Sequence, residues 1–185
     1  MKKFLLLVAL FLINQLHPYE NKIDLLSLYK DLHANPELSY QEFETSEKLA
    51  NLLESIGYEV TRNVGGNGVV ALLKNGNGKN IMFRADMDGL PVEEKTGARY
   101  ASQKKVTNLD GEEVFTMHAC GHDVHMTVLI GVAEYLFENK SEWQGNLILV
   151  LEPAEEVSGG ARNMIKDGLF TRFPRPDYNL AFHVN

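Results

Sequence analysis

A chain of 185 residues with 44% apolar and 23% charged residues has the make-up of one globular core with appended elements. Its net charge of −7 sets aside nucleic acid and anionic membrane surfaces as partners. A single cysteine excludes an internal disulfide.

The chain opens with Met1-Lys-Lys and an apolar run from Phe4 to Ile13. That pattern reads as the charged and apolar regions of a secretory signal, and places the protein in the periplasm or outside the cell. The run is short for a transmembrane helix. Asn14 to Pro18 offers no small-x-small cleavage site, so an uncleaved anchor, an atypical cut or a buried helix all stay open. Residues 1–18 are assigned to this segment and 19–185 to the folded part.

Apolar spacing predicts helices over 20–57, broken at Asn35-Pro36 and ended by Gly57. Strands follow at 58–60, 69–73 and 81–85. Asn75-Gly-Asn-Gly78 between the last two is a hairpin signal, with 81–85 as the return strand. That strand runs into Asp86-Met-Asp88, where turn chemistry and a functional role read alike. Residues 92–116 are polar and without period, and are expected to wander over the surface. A helix is expected over 124–137. Leu147-Ile-Leu-Val-Leu151 has the look of a central parallel strand and ends in Glu152-Pro-Ala-Glu-Glu156. Ser158-Gly-Gly160 opens another helix closed by Gly168, and a last strand over 179–182 delivers His183.

The densest chemistry is His118-Ala-Cys-Gly-His-Asp-Val-His125, which holds three of the six histidines and the lone cysteine. Cys120 and His122 together favour a metal, because imidazole and thiolate are strong ligands for zinc-like ions. The Cys-x-His spacing is read as two same-side positions of an extended segment. For His118 and His125 a structural role is as plausible as a functional one. Strands alternating with helices imply an α/β fold, a mostly parallel mixed sheet with helices on both faces. In it, Asp86, Asp88, Glu155, Glu156 and His183 would meet along one edge.

Arg84-Ala-Asp-Met-Asp-Gly-Leu-Pro91, Met117-His-Ala-Cys-Gly-His-Asp-Val-His125, Glu152-Pro-Ala-Glu-Glu156 and Phe182-His-Val-Asn185 follow one another in this order. In this order and spacing they resemble the two-metal amidohydrolases of peptidase family M20, on the branch of hippurate hydrolases, N-acyl-amino-acid amidohydrolases and auxin-conjugate hydrolases. His33 to Glu37, Glu42 and Thr45 match the same branch. The resemblance implies a zinc-exopeptidase-like catalytic domain and metal ligands at Cys120, His122, Glu156 and His183. It also implies Glu155 as general acid/base and Asp88 as the aspartate that orients a ligand. Asp86 is read as lining the site without ligating. Two divalent ions, zinc or manganese, and a small N-acyl amino acid substrate follow from it. Family members are about twice this length, with a lid and dimerisation domain after the His183 region and a distal histidine as fifth ligand. The 185 residues are therefore expected to be an N-terminal portion, with one weak metal position and negligible hydrolysis by themselves, and the full-length parent is expected to dimerise through the lid. Two other readings are weighed: Cys120 as a nucleophile with His122 or His118 as base, and a metal-binding domain without turnover. A dipeptidase stays open within the favoured class.

Overall fold

The computed structural model describes residues 22–184, so the signal-like segment lies outside the described residues. Helix α1 spans Leu25–Ala34 and starts where the Asp24 side chain accepts from the Leu26 and Ser27 amides. Helix α2 spans Phe43–Ile56; the Glu37 carboxylate accepts from the Glu44 and Thr45 amides at its start, and left-handed Gly57 ends it. Strands β1 (Glu59–Val64), β2 (Gly68–Asn75) and β3 (Lys79–Asp86) follow. Next come β4 (Lys105–Thr107) and β5 (Glu113–Phe115), helix α3 (His122–Glu138), β6 (Gly145–Glu152), helix α4 (Gly160–Lys166) and β7 (Tyr178–Ala181).

Five strands form one mixed sheet in the order β1-β2-β6-β3-β7. β6, β3 and β7 run parallel, while β1 and β2 are antiparallel to their neighbours. Side chains alternate across the sheet. Val69, Ala71, Leu73, Leu147, Leu149 and Leu151 face the helices α1, α2 and α3. Val70, Leu72, Ile148 and Val150 face the other way, against Met164 of α4 and Leu169. Helices thus cover both faces, three on one side and one on the other.

The expected hairpin between β2 and β3 does not form. The two strands are separated by β6, which pairs antiparallel with one and parallel with the other. The reason lies in β6 itself: Leu147–Leu151 is buried throughout, and a run without a polar face belongs in the middle of a sheet. Glycines make the insertion possible. A Cβ on Gly145 would lie 2.3 Å from the Lys79 carbonyl oxygen, and one on Gly78 would lie 2.6 Å from that of Gln144.

The surface excursion over 92–116 is also more structured than its sequence suggests. It carries the antiparallel pair β4–β5 and buries Glu94, Ser102 and Thr116. Its polarity hides these contacts because the buried groups are hydrogen-bonded rather than apolar: Glu94 accepts from the Ser102 amide, and the Thr116 hydroxyl donates to the Pro36 carbonyl. No helix among the described residues is long and apolar enough to cross a membrane.

Candidate metal centre

The register of the sheet decides what meets at its edge. Asp86 pairs with Glu152 at the ends of β3 and β6, and Arg84 pairs with Ala181 on β7. The residues that follow each strand therefore converge. They do so beside the start of α3. The Cys-x-His stretch is not extended: left-handed Gly121 turns the chain, and His122 is the first residue of the helix. The turn is what points Cys120 and His122 toward one another's surroundings from two different elements.

His122 is the hub. It is fully buried. Its Nε2 lies 3.7 Å from Asp86 Oδ2, 3.7 Å from Glu156 Oε1 and 3.8 Å from Glu155 Oε2. Its Nδ1 lies 3.5 Å from Asp88 Oδ1. None of these meets hydrogen-bond geometry, and both ring nitrogens and Glu156 Oε1 are buried without a partner among the described residues. Burial pushes the His122 pKa down, but Asp88, Asp86 and Glu156 outweigh it and hold it above the ordinary value. Three groups of donors share this ring: Cys120 with His183, Asp86 with His125, and Glu155 with Glu156, the donor atoms of each group lying within 4.8 Å of one another. Buried polar atoms left unpaired are costly. A cation among these donors would satisfy the histidine and Glu156 together, so the donor set fits a divalent metal.

Two of the three groups have lone pairs to offer. His183 donates from Nδ1 to the Val184 carbonyl at 2.7 Å, which leaves Nε2 bare, 3.4 Å from Cys120 Sγ. His125 is different. Its Nδ1 meets Asp86 Oδ1 at 2.6 Å, and its Nε2 accepts from the Val184 amide at 3.0 Å. Because Nε2 accepts, the ring proton sits on Nδ1 and is given to Asp86. Asp86 Oδ2 in turn accepts from Arg84 at 2.7 Å. His125 and Asp86 are thus occupied with one another. Their joint effect is to hold the segment that carries His183, whose ring packs tilted against His125 at 4.8 Å between centroids.

Asp88 organises the carboxylate side. It is buried, and it accepts from the Ser39 hydroxyl at 2.6 Å and from the Glu155 and Glu156 amides at 3.1 Å each. Burial raises its pKa, but His122, Ser39 and those two amides outweigh it and hold the carboxyl below its usual range. Glu42, also buried, accepts from the Ala154 amide at 2.7 Å. Ala154 and Ser158, either side of the pair, sit at φ of +48° and +53°, conformations that cost non-glycine residues of order 1 kcal/mol each. Two buried carboxylates therefore hold a strained turn on which Glu155 and Glu156 stand side by side. Arg84 reaches the same place, with Nε 2.7 Å from Glu152 and Nη2 3.9 Å from Glu155. Burial, and then the Asp86 carboxylate, raise the Glu155 pKa against the opposing Arg84 and His122.

Burial and the carboxylates of Glu156, Asp86 and Glu155 push the Cys120 thiol up to about 11. A cysteine nucleophile needs the opposite environment. Neither is His118 placed as its base: its ring nitrogens are buried without partners, and burial pushes its pKa down to about 4. The residue types alone mark the candidate donors, but they do not mark the supports. Ser39, Glu42, Arg84 and His125 find their roles only through contacts distant in sequence. His33 is another such support: it bridges Asp123 at 2.6 Å and Glu94 at 3.1 Å behind the start of α3.

Comparison with known proteins agrees with this geometry. The signature of peptidase family M20/M25/M40 matches residues 82–185. The chain belongs to that family. It is 46% identical over 153 residues to a hippurate hydrolase of Campylobacter jejuni, covering 82% of this chain and 37% of the relative. It is 40% identical over 145 residues to an N-acetyl-L-cysteine deacetylase of Bacillus subtilis, covering 78% of this chain and 33% of that protein. A solved structure from Bacillus subtilis, described as a dinuclear metal-binding peptidase of family M20, superposes with a TM-score of 0.69 at 37% identity, over 78% of this chain and 38% of that one. The chain thus spans less than two fifths of the length of these relatives.

Proposed function

We propose that the protein carrying this chain hydrolyses the amide bond of N-acyl amino acids, of the hippurate or N-acetyl type. One observation carries the reading: both ring nitrogens of buried His122 and the Oε1 of half-buried Glu156, all lacking hydrogen-bond partners among the described residues, sit among Cys120, His183 and Glu155 in ligand-like groups. Cys120, His122, Glu156 and His183 are the ligands in this reading. Divalent ions held there, zinc or manganese, would supply Lewis acidity toward an acyl carbonyl and toward a water. Glu155 takes a proton from the attacking water on its carboxylate and returns it to the leaving amine. Its raised pKa suits a group that must both accept and donate near neutrality. Asp88 acts through others. It holds the Glu155 and Glu156 amides and faces His122 Nδ1, so it fixes base and ligands in one frame. The names of the hippurate hydrolase and the N-acetyl-L-cysteine deacetylase support an N-acyl amino acid as substrate.

Elemental analysis of the full-length protein that carries this chain, reconstituted with zinc or manganese, tests the centre. About two ions per catalytic domain are expected. No retained ion would remove the reading. Release of glycine from hippurate by the metal-loaded protein, abolished by chelator and restored by metal, tests the reaction.

A further inference from the structure

A cleft of about 250 Å³ opens beside Glu156, and neither Cys120 nor His183 lines it. Its walls come from four separate segments and are chiefly apolar: Leu38, Tyr40, Leu90, Pro91, Leu109 and Val157. Two features set it apart from an accidental groove. First, it gathers large apolar side chains that no other described residue covers. Leu109 is 71% exposed, Val157 55% and Tyr40 40%. Leu109 stands at the tip of the β4–β5 connection, between Asn108 and Asp110, where polar residues are usual and no core needs a leucine. Second, the walls are fixed. The Asn108 side chain accepts from the Asp110 and Glu112 amides, and Gln41 Nε2 donates to the Thr107 carbonyl. Leu90 and Met117 exchange backbone hydrogen bonds at 2.9 and 3.0 Å.

The charges of the cleft say which end of a substrate it can take. Its ionisable carboxylates are Asp110 and Glu156, and neither lysine, arginine nor histidine lines it. A carboxylate entering there would meet like charge without a partner. An uncharged apolar group meets the surface it needs. A cavity of about 150 Å³ already accepts a benzene ring, so this one has room for a single ring or a branched chain. Glu156 belongs to both the cleft and the donor set around His122, so a group seated in the cleft lies next to the reacting bond.

We propose, resting on the functional reading above, that this cleft receives the acyl group of the substrate and selects an aromatic or branched acyl chain over acetyl, with Leu109 as a specificity-determining residue.

The test uses N-methylbenzamide and N-methylacetamide as neutral acyl-amide probes on the 185-residue chain, followed by methyl NMR. N-Methylbenzamide should shift the Leu38, Leu90, Leu109 and Val157 methyls saturably. Leu109→Asp should weaken that binding about tenfold, the scale of losing one apolar wall. Leu109→Ala should weaken it less. Because Leu109 is exposed, unchanged methyl signals elsewhere would show that the variants fold. Absence of shifts, shifts confined to other residues, or equal shifts from N-methylacetamide would overturn the proposal. In hydrolysis, Leu109→Asp should lower the ratio of kcat/KM for N-benzoylglycine over N-acetylglycine about tenfold; an unchanged ratio overturns the cleft while leaving the amidohydrolase reading intact. The probe binding needs neither metal nor turnover. Failure to hydrolyse any N-acyl amino acid, with the probe still bound at these methyls, would therefore count against the reading and not against the cleft.

Discussion

The turn after β6 and the tail after β7 bring donors to the same histidine, yet they are built in opposite ways. On the turn, the amides of Ala154, Glu155 and Glu156 each have a buried carboxylate as partner, and strained backbone is held in place. The tail leaves a four-residue strand exposed on every residue and rests on one amide bond to His125, one tilted ring contact with it, and Phe182 against Phe83. The carboxylate side is organised before any ligand arrives. The Cys120–His183 side has fewer supports of its own, and an ion held there on the proposed reading would complete it. Preorganised groups suit the moving of protons, while adaptable ones suffice for gripping an ion.

This contrast can be broken at the turn first. On the proposed reading, in which Glu155 is the general base, Glu155→Gln should cut turnover of an N-acyl amino acid by about a hundredfold or more while metal content persists. Glu156→Gln should instead lower metal retention; elemental analysis beside steady-state kinetics separates the two, and the reverse pattern would exchange their roles. Next in size is Asp88→Ala, which frees both amides and Ser39. Metal affinity should fall about ten- to a hundredfold, the usual cost of losing a supporting partner, as measured by chelator competition.

At the tail, His125→Phe keeps a ring under His183 but removes the acceptor for the Val184 amide and the donor to Asp86. An effect of about tenfold is expected, with the thiolate side included. In the cobalt-substituted chain it should appear as a weaker sulfur-to-metal absorption band. A loss as large as that of Asp88→Ala would contradict the contrast.

The smallest effect concerns His33, behind the start of α3. Burial pushes the His33 pKa down, but Glu94 and Asp123 outweigh it, so the folded value is raised. A raised histidine stabilises fully below its unfolded value of about 6.5 and loses that contribution as pH climbs through the folded one. His33→Gln should therefore cost about 1 kcal/mol at low pH and progressively less in alkaline buffer, measured by urea unfolding.

What the sequence makes legible are residues whose type already limits their use. Cys120, His122 and carboxylates placed just after apolar runs announce a centre at the strand ends, and the sheet brings them there. Asp88 and His125 are legible only as candidates, because an aspartate after a strand and a histidine on a helix serve turns and cores equally well. Their roles depend on partners such as Ser39 and Val184, set by the fold and not by spacing. Strand order was hidden for a related reason. Asn75-Gly-Asn-Gly78 encodes a change of direction, but a turn carries no information about the neighbour its strands will choose.

That strand order has a consequence for how the chain comes to life on the ribosome. β2 and β3 are made early, yet the strand that pairs with both begins only at Gly145, after the whole of residues 87–144. Until it emerges, two largely apolar strands have to wait apart, with their inner edges unpaired. Closure of the sheet is thus a late, long-range event, slow by topology and exposed to aggregation while it waits.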